Sequence, residues 1–284
     1  MNPITMKLVV DDLILQALRE DITFEDVSTA SVCPTARPAT VELIAKADGI
    51  IAGLDVFART FELLDPQSSV LFDVADGDEV HAGDHVGQVR GDARVLLSGE
   101  RVALNYLQRM SGIATVTHEY MARLEGLHTR VLDTRKTTPG MRILEKEAVR
   151  IGGGVNHRIG LFDMILLKDN HVDFAGGIEA AITRCHRYLE EKGKNLKIEI
   201  EVRNLNELGE VLRVGGVDRI MLDNFTPELT REAVKLIAGR YETESSGGIT
   251  IDTIRDYAEC GVDFVSVGAL THSVKGLDMS FKAF

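Results

Sequence analysis

The chain has 284 residues, 44% of them hydrophobic and 27% charged, with a formal net charge of −12. That length accommodates one large domain or two modest ones around a sizeable core, and the acidic balance excludes nucleic acid and anionic membranes, which demand a basic footprint. No apolar run approaches the roughly 20 residues that span a bilayer, and the three scattered cysteines, Cys33, Cys185 and Cys260, have neither metal nor disulfide spacing; a cytoplasmic protein is the economical expectation.

Taken in chain order, the first twenty residues carry acids within an apolar period, as an amphipathic helix does and a signal peptide does not. A strand over Val41–Lys46 and a helix near Leu54–Leu64 follow. Strands broken by Asp76-Gly77-Asp78, Ala82-Gly83-Asp84 and Arg90-Gly91-Asp92 come next. The DGDEVHAGDHVGQV stretch has the turn pattern of a biotinyl or lipoyl carrier but no lysine at the turn, so it reads as an ordinary β-turn cluster. A helix over Leu97–Ser111 bridges to the second half. There, short β-branched runs alternate with helical patterns: Val131–Asp133, Met164–Leu167, Ile198–Val202, Arg219–Leu222, Tyr241–Glu244 and Phe264–Val267. The helices between them are punctuated. Asn204 with Glu207 makes a capping-box-like start, Thr226-Pro227 another start, and Gly193, Gly215, Gly239 and Gly261 make stops. The pattern predicts an α/β fold, a parallel βα barrel of TIM-like type, open or closed, preceded by an α+β sandwich domain. The expected domains are 1–112, joined by the apolar tail 274–284, and a catalytic barrel over 113–273.

Catalytic groups of a βα barrel stand at the carboxyl ends of its strands. Those positions hold Arg135 and Lys136, then Lys168, then Glu201, then Asp223, then Ser246, Gly247 and Gly248, then Gly268. Small residues after the last two strands let backbone N–H groups approach a phosphate, and a helix starting near Thr250 would add its dipole. Glu201 and Asp223 on neighbouring strand ends can hold one Mg²⁺, although alternation leaves Glu199 and Glu201 on the same face and does not choose between them. From Arg130 to Lys168 there are eight bases against four acids, a local +4 that leaves −16 elsewhere. Arg142, Lys146 and Arg150 fit a solvated helix surface. Arg135, Lys136, His157, Arg158 and Lys168 would instead converge in the barrel mouth, where like charges are costly without an anion. Structural salt bridges to Glu145 and Glu147 could absorb two of them at most. A small substrate with two carboxylates would justify the cluster.

DTRKTTPG (Asp133–Gly140), GGGVNHR (Gly152–Arg158), LLKDNH (Leu166–His171), IEIEV (Ile198–Val202), MLDNF (Met221–Phe225), SSGG (Ser245–Gly248) and VSVGALTHS (Val265–Ser273) together resemble the quinolinate phosphoribosyltransferase family. RVALNYLQRMSGIAT (Arg101–Thr115) is similar to the family's bridging helix, and the likeness runs in order over nearly the whole chain. The resemblance implies phosphoribosyl transfer to quinolinate with decarboxylation. It implies a basic substrate pocket of Arg135, Lys136, His157, Arg158 and Lys168, with Arg101 reaching in from a second subunit of a homodimer or larger homo-oligomer. It implies Lys136, Glu201 and Asp223 as the catalytic set, Glu201 and Asp223 facing Mg²⁺ and the ribose, and Ser246, Gly247 and Gly268 on phosphate. One segment departs from the pattern: EDITFEDVST (Glu20–Thr29) lacks the glycines usual there, which bears on subunit contacts. Alternatives are a molybdenum-transport-associated paralogue sharing the TRK motif, or a non-catalytic sensor of anionic metabolites. The intact NHR and KDNH segments weigh against the first, and the acids Glu201 and Asp223 against the second.

Overall fold

Alternation in the IEIEV segment puts Ile198, Ile200 and Val202 on one face and Glu199 and Glu201 on the other, yet all five residues are buried. A strand buried on both faces belongs inside a parallel sheet covered by helices. In the computed structural model, which describes residues 2–283, this segment is β8 of twelve strands. Chain contacts divide the molecule into two units. The first comprises Met1–His118, Thr137–Gly153 and Thr271–Phe284, and the second Glu119–Lys136 and Gly154–Leu270.

The first unit is built on β1 (Pro38–Ala45), β2 (Gly49–Ile50), β3 (Ser69–Phe72), β4 (Glu79–Val80), β5 (His85–Asp92) and β12 (Met279–Ala283). The main sheet is antiparallel in the order β12-β1-β5-β3, so the C-terminal strand pairs with β1. Its apolar face and the helix Leu54–Leu64 enclose an aromatic cluster in which Phe57 meets Phe61 edge-on at 5.3 Å and Phe61 stacks on Phe281 at 5.7 Å. The bridging helix is longer than its sequence pattern suggests, running Ala93–Arg123. The opening helical stretch is not uniform: a π-helical turn over Met6–Val10 precedes the helix Asp11–Ile22.

The second unit carries β6 (Arg130–Leu132), β7 (Ile165–Leu167), β8 (Ile198–Val202), β9 (Arg219–Asp223), β10 (Glu242–Ser246) and β11 (Phe264–Ser266). They form one parallel sheet in the order β6-β11-β10-β9-β8-β7, which is the open form of the expected βα architecture, with β6 and β7 at its edges. Beyond β6 the chain returns through a single parallel bridge between Leu132 and Val155, which sets the next two residues, Asn156 and His157, beside the end of β6. The helix boundaries follow side-chain chemistry. Asn204 Oδ1 accepts from the amides of Asn206 and Glu207, both at 3.0 Å, and Thr226 Oγ1 accepts from Leu229 ahead of Pro227. Near Thr250 the chain turns helical: the Thr250 carbonyl accepts from the Ile254 amide at 2.9 Å, and Thr253 Oγ1 accepts from the Thr250 amide at 3.0 Å as in a capping box, ahead of the short helix Ile254–Ala258. Among the described residues no helix is long and apolar enough to cross a membrane.

Candidate active site

The carboxyl ends of the second unit's strands bring most of the candidate residues to one end of the sheet. Arg135 and Lys136, just past β6, are exposed, and the Lys136 amide donates to Thr134 Oγ1 at 3.0 Å. Arg158 is half-buried, and its guanidinium donates to the Met164 carbonyl at 3.4 Å. Burial and the neighbouring Arg135 both push the Arg158 pKa down from the ordinary arginine value. A half-buried guanidinium with a second one beside it suits an anion. Within the first unit, Glu145 is fully buried, accepts from Arg109 at 2.8 Å and takes the Thr138 amide at 3.0 Å, while Glu147 pairs with Arg150. Arg109 also donates to the carbonyls of Thr271 and Val274. The solvated reading of that helix fails at one position: Lys146 is 1% exposed.

The acids come from β8 and β9. Glu201 is buried, and Lys168 Nζ lies 3.2 Å from its Oε2. Burial raises the Glu201 carboxyl, Lys168 pulls it down, and Asp223 pushes it up again by direct repulsion. Two carboxylates close enough to repel are the donor set a hard divalent cation takes, so these residues fit Mg²⁺. Asp223 ends β9 and is held from behind by Asn224, whose Nδ2 donates to Asp223 Oδ2 at 2.7 Å. Asn224 itself adopts a left-handed φ of 55°, and its amide donates to Ser246 O at 2.8 Å. Ser246 is the last residue of β10, so this strand runs two residues further than its β-branched run indicates. Gly247 follows at φ 105°; a Cβ there would sit 2.2 Å from Asn224 Oδ1. Only glycine fits that position, and it leaves the backbone open for close approach of a ligand. Gly268 stands two residues past β11 at the same end of the sheet.

His157 is the exception. It is buried beneath the mouth at 9% exposure, with Nε2 2.9 Å from Glu199 Oε2 and 3.4 Å from Glu244 Oε2. Its Nδ1 accepts the Arg158 amide at 2.7 Å, and its own amide donates to Asp133 Oδ1 at 2.8 Å. Both ring nitrogens are therefore engaged by the protein. Burial opposes charge on the ring, but Glu199 and Glu244 outweigh it and lift the pKa to about 9. The Arg158 amide points at Nδ1, while Nε2 faces the two carboxylates. Burial and the neighbouring Glu244 push the Glu199 carboxyl up to about 7. Burial acts the same way on Glu244, but His157, Ser266 and Arg219 hold it below the ordinary carboxylate range. Arg219 Nη1 lies 3.3 Å from Glu244 Oε2 and 4.0 Å from Glu199 Oε2, and its guanidinium stacks on Phe264 at 4.2 Å. His157, Glu199 and Glu244 have metal-ligand spacing. The guanidinium bonded to Glu244 and neighbouring Glu199 already supplies positive charge, which favours an ion network over a metal site. Sequence offers Glu199 only as the alternative to Glu201 and does not single out Arg219 or Glu244; strand alternation two residues before Glu201, Met221 and Ser246 is the signal that reaches all three.

Arg101 lies in the first unit, exposed on the long helix, where it lines a cavity of about 590 Å³ with Glu20, Asp21, Asn105, Tyr106 and Met141.

The chain matches the family models for the quinolinate phosphoribosyl transferase N-terminal domain over residues 21–111 and C-terminal domain over residues 113–282. It is 41% identical over 280 residues to the probable nicotinate-nucleotide pyrophosphorylase (carboxylating) of Bacillus subtilis, covering 99% of this chain and 94% of that one. It is 43% identical to quinolinate phosphoribosyltransferase (decarboxylating) 1 of Nicotiana glauca, covering 94% of this chain and 80% of that protein. Among solved structures, NadC from Streptococcus pyogenes superposes with a TM-score of 0.91 at 43% identity, covering 99% of this chain and 98% of that one. Human nicotinic acid phosphoribosyltransferase shares the fold alone, at 14% identity and a TM-score of 0.60.

Proposed function

The chain belongs to the quinolinate phosphoribosyltransferase family, and from that premise we infer how its residues divide the work. It is a pentosyltransferase of NAD biosynthesis: quinolinate and phosphoribosyl pyrophosphate give nicotinate mononucleotide, pyrophosphate and CO₂. The substrate end of the assignment is carried by one observation: Arg158 is half-buried and held by the Met164 carbonyl, with Arg135 near enough to disfavour its charge. A substrate carboxylate relieves that repulsion and matches a guanidinium fork in two hydrogen bonds. In this reading Arg135 and Arg158 receive the pyridine carboxylates with Lys168, and Lys136 joins Glu201 and Asp223 in the catalytic set.

The other half of the site handles phosphoribosyl pyrophosphate. Backbone N–H groups around Ser246, Gly247 and Gly268 take a phosphate, supported by the left-handed turn at Gly247. Glu201 and Asp223 face the positive charge that develops at the anomeric carbon as pyrophosphate leaves. Mg²⁺ held by the same two acids would draw off charge from the departing pyrophosphate. The pyridine nitrogen attacks the anomeric carbon, and the positively charged ring then accepts the electron pair released when the adjacent carboxylate departs as CO₂, after which that carbon takes up a proton.

The reading extends to a homodimer, or a larger homo-oligomer, with Arg101 entering the site of a second copy. Its support is the exposed position of Arg101 and the large apolar side chains left on the surface of each unit, Phe24 in the first and Phe162 and Phe174 in the second. A cytoplasmic setting is part of it too, and the free cysteines Cys33, Cys185 and Cys260 suit a reducing compartment. The test is incubation of folded protein with quinolinate, phosphoribosyl pyrophosphate and Mg²⁺. Nicotinate mononucleotide and CO₂ in equal amounts are expected; their absence sinks the reading.

A further inference from the structure

The side chains assigned to substrates rest on a second, fully buried layer of charge. Glu199 lies two residues before Glu201 on β8, Arg219 four before Asp223 on β9, and Glu244 two before Ser246 on β10. Even spacing along a strand keeps side chains on one face, so each of the three sits directly below a residue of the site. Interior layers of a βα barrel are normally filled by branched apolar side chains. Here two carboxylates at 0% exposure and an arginine at 11% side-chain exposure meet His157 instead. Charges so placed cost several kcal/mol each to desolvate, and a well-packed apolar layer of similar volume is often as stable or more so. Stability alone gives no reason for the layer.

Its connections supply one. His157 Nε2 is held from below by Glu199 and Glu244, with Arg219 bonded to Glu244 and neighbouring Glu199. The same ring takes the Arg158 amide on Nδ1, and the His157 amide is clasped by Asp133, which is fully buried at the end of β6 and two residues ahead of Arg135. The layer thus ties β8, β9 and β10 to the two segments that carry the paired guanidiniums. We propose that Glu199, Glu244 and Arg219 are positioning residues for the reaction, which orient the His157 ring and through it the Arg158 backbone, so that the guanidinium meets a pyridine carboxylate at a fixed angle. His157 is the joint between the buried layer and the carboxylate pocket. The proposal rests on the quinolinate reading of Arg158.

The experiment uses full-length protein carrying Glu199→Gln or Glu244→Gln, compared with wild type for KM of each substrate and for the thermal midpoint. Misplacing a binding group by about 1 Å costs up to about 100-fold, so the KM for quinolinate should rise by about 10-fold or more while that for phosphoribosyl pyrophosphate stays within about 2-fold, in protein still folded at the assay temperature despite the lower midpoint that loss of a buried charge brings. Equal rises in both KM values, or no change in either, would overturn the proposal. His157→Phe separates positioning from contact. If it alone weakens quinolinate while both glutamine variants behave as wild type, His157 is a substrate ligand and the layer is inert. Arg219→Lys keeps the charge and loses the second arm; it reads the same two constants if a glutamine variant is not recovered folded. Inactive wild-type protein would defeat the quinolinate reading itself, whereas an active enzyme with symmetric variants defeats only the positioning role.

Discussion

Lys168 Nζ stands 3.2 Å from Glu201 Oε2, so a base assigned to the pyridine dicarboxylate is paired with an acid assigned to Mg²⁺ and the ribose. The two halves of the site neutralise each other until substrates separate them. Lys168 is about half exposed, at 49% of its side chain, which limits the pair to the upper range of surface ion pairs, about 1 kcal/mol. Lys168→Met should therefore act with opposite signs. The KM for quinolinate rises, and the Mg²⁺ concentration for half-maximal rate falls by about fivefold, the factor that corresponds to about 1 kcal/mol. A titration of rate against Mg²⁺ decides; a parallel weakening of both would show that the pair does not divide the site.

Arg158→Ala removes one member of the guanidinium pair. Truncating a buried, hydrogen-bonded charge contact costs about 2–5 kcal/mol, so quinolinate binding should fall by at least about 30-fold. Phosphoribosyl pyrophosphate binding should fall far less, because relief of the Arg135–Arg158 repulsion belongs to the carboxylate end alone. Comparable losses for both substrates, measured by calorimetry on the free enzyme, would refute the pocket assignment.

The upper layer of the site was legible in sequence because strand ends announce themselves. Runs such as Ile198–Val202 match their strand residue for residue, and the glycines and acids that follow fall at the mouth. The lower layer was hidden for a physical reason. Alternation says that Glu199 shares a face with Glu201, but not that the face is buried, nor that Arg219 arrives from the neighbouring strand to meet it. His157 is hidden in the same way: its motif fixes its place in the chain, while the direction of its ring depends on acids 42 and 87 residues away, Glu199 and Glu244. Lys146 sits at helical spacing with surface bases and yet is buried, since periodicity cannot tell which side of a helix the rest of the chain covers. Ser246 extends β10 past its apolar run because a β-ladder with β9 continues to Asp223 regardless of side-chain type.

Gly247→Ala tests the phosphate end. The position has φ 105° and no space for a methyl group between it and Asn224, so the turn must shift at a strain of about 1–3 kcal/mol. The KM for phosphoribosyl pyrophosphate should rise by about 5- to 150-fold on that basis, with quinolinate binding to the free enzyme retained. Since Asn224 also holds Asp223, a loss of Mg²⁺ dependence in this variant would follow from the same displacement. Unchanged phosphoribosyl pyrophosphate kinetics would remove Gly247 from the phosphate site.

The N-terminal unit offers a pH test with a definite sign. Arg59 binds Asp11 through two parallel bonds, Nε to Oδ1 at 2.8 Å and Nη2 to Oδ2 at 2.7 Å, and this contact joins the helix Asp11–Ile22 to the helix Leu54–Leu64. The Arg59 fork holds the Asp11 carboxyl below its ordinary range. A carboxylate whose pKa is lower folded than unfolded contributes stability above its unfolded value of about 3.9, and that contribution disappears as the pH drops through the folded value. Hydrogen bonds to charged groups are worth about 1.5–3 kcal/mol, so Asp11→Asn should lower the denaturation midpoint clearly at pH 7. The gap between wild type and variant should then close below about pH 4 as the wild-type carboxyl takes up its proton. Urea unfolding across that range measures it. A gap that stays constant into acid would assign the loss to packing at Asp11 rather than to the charge that Arg59 reads.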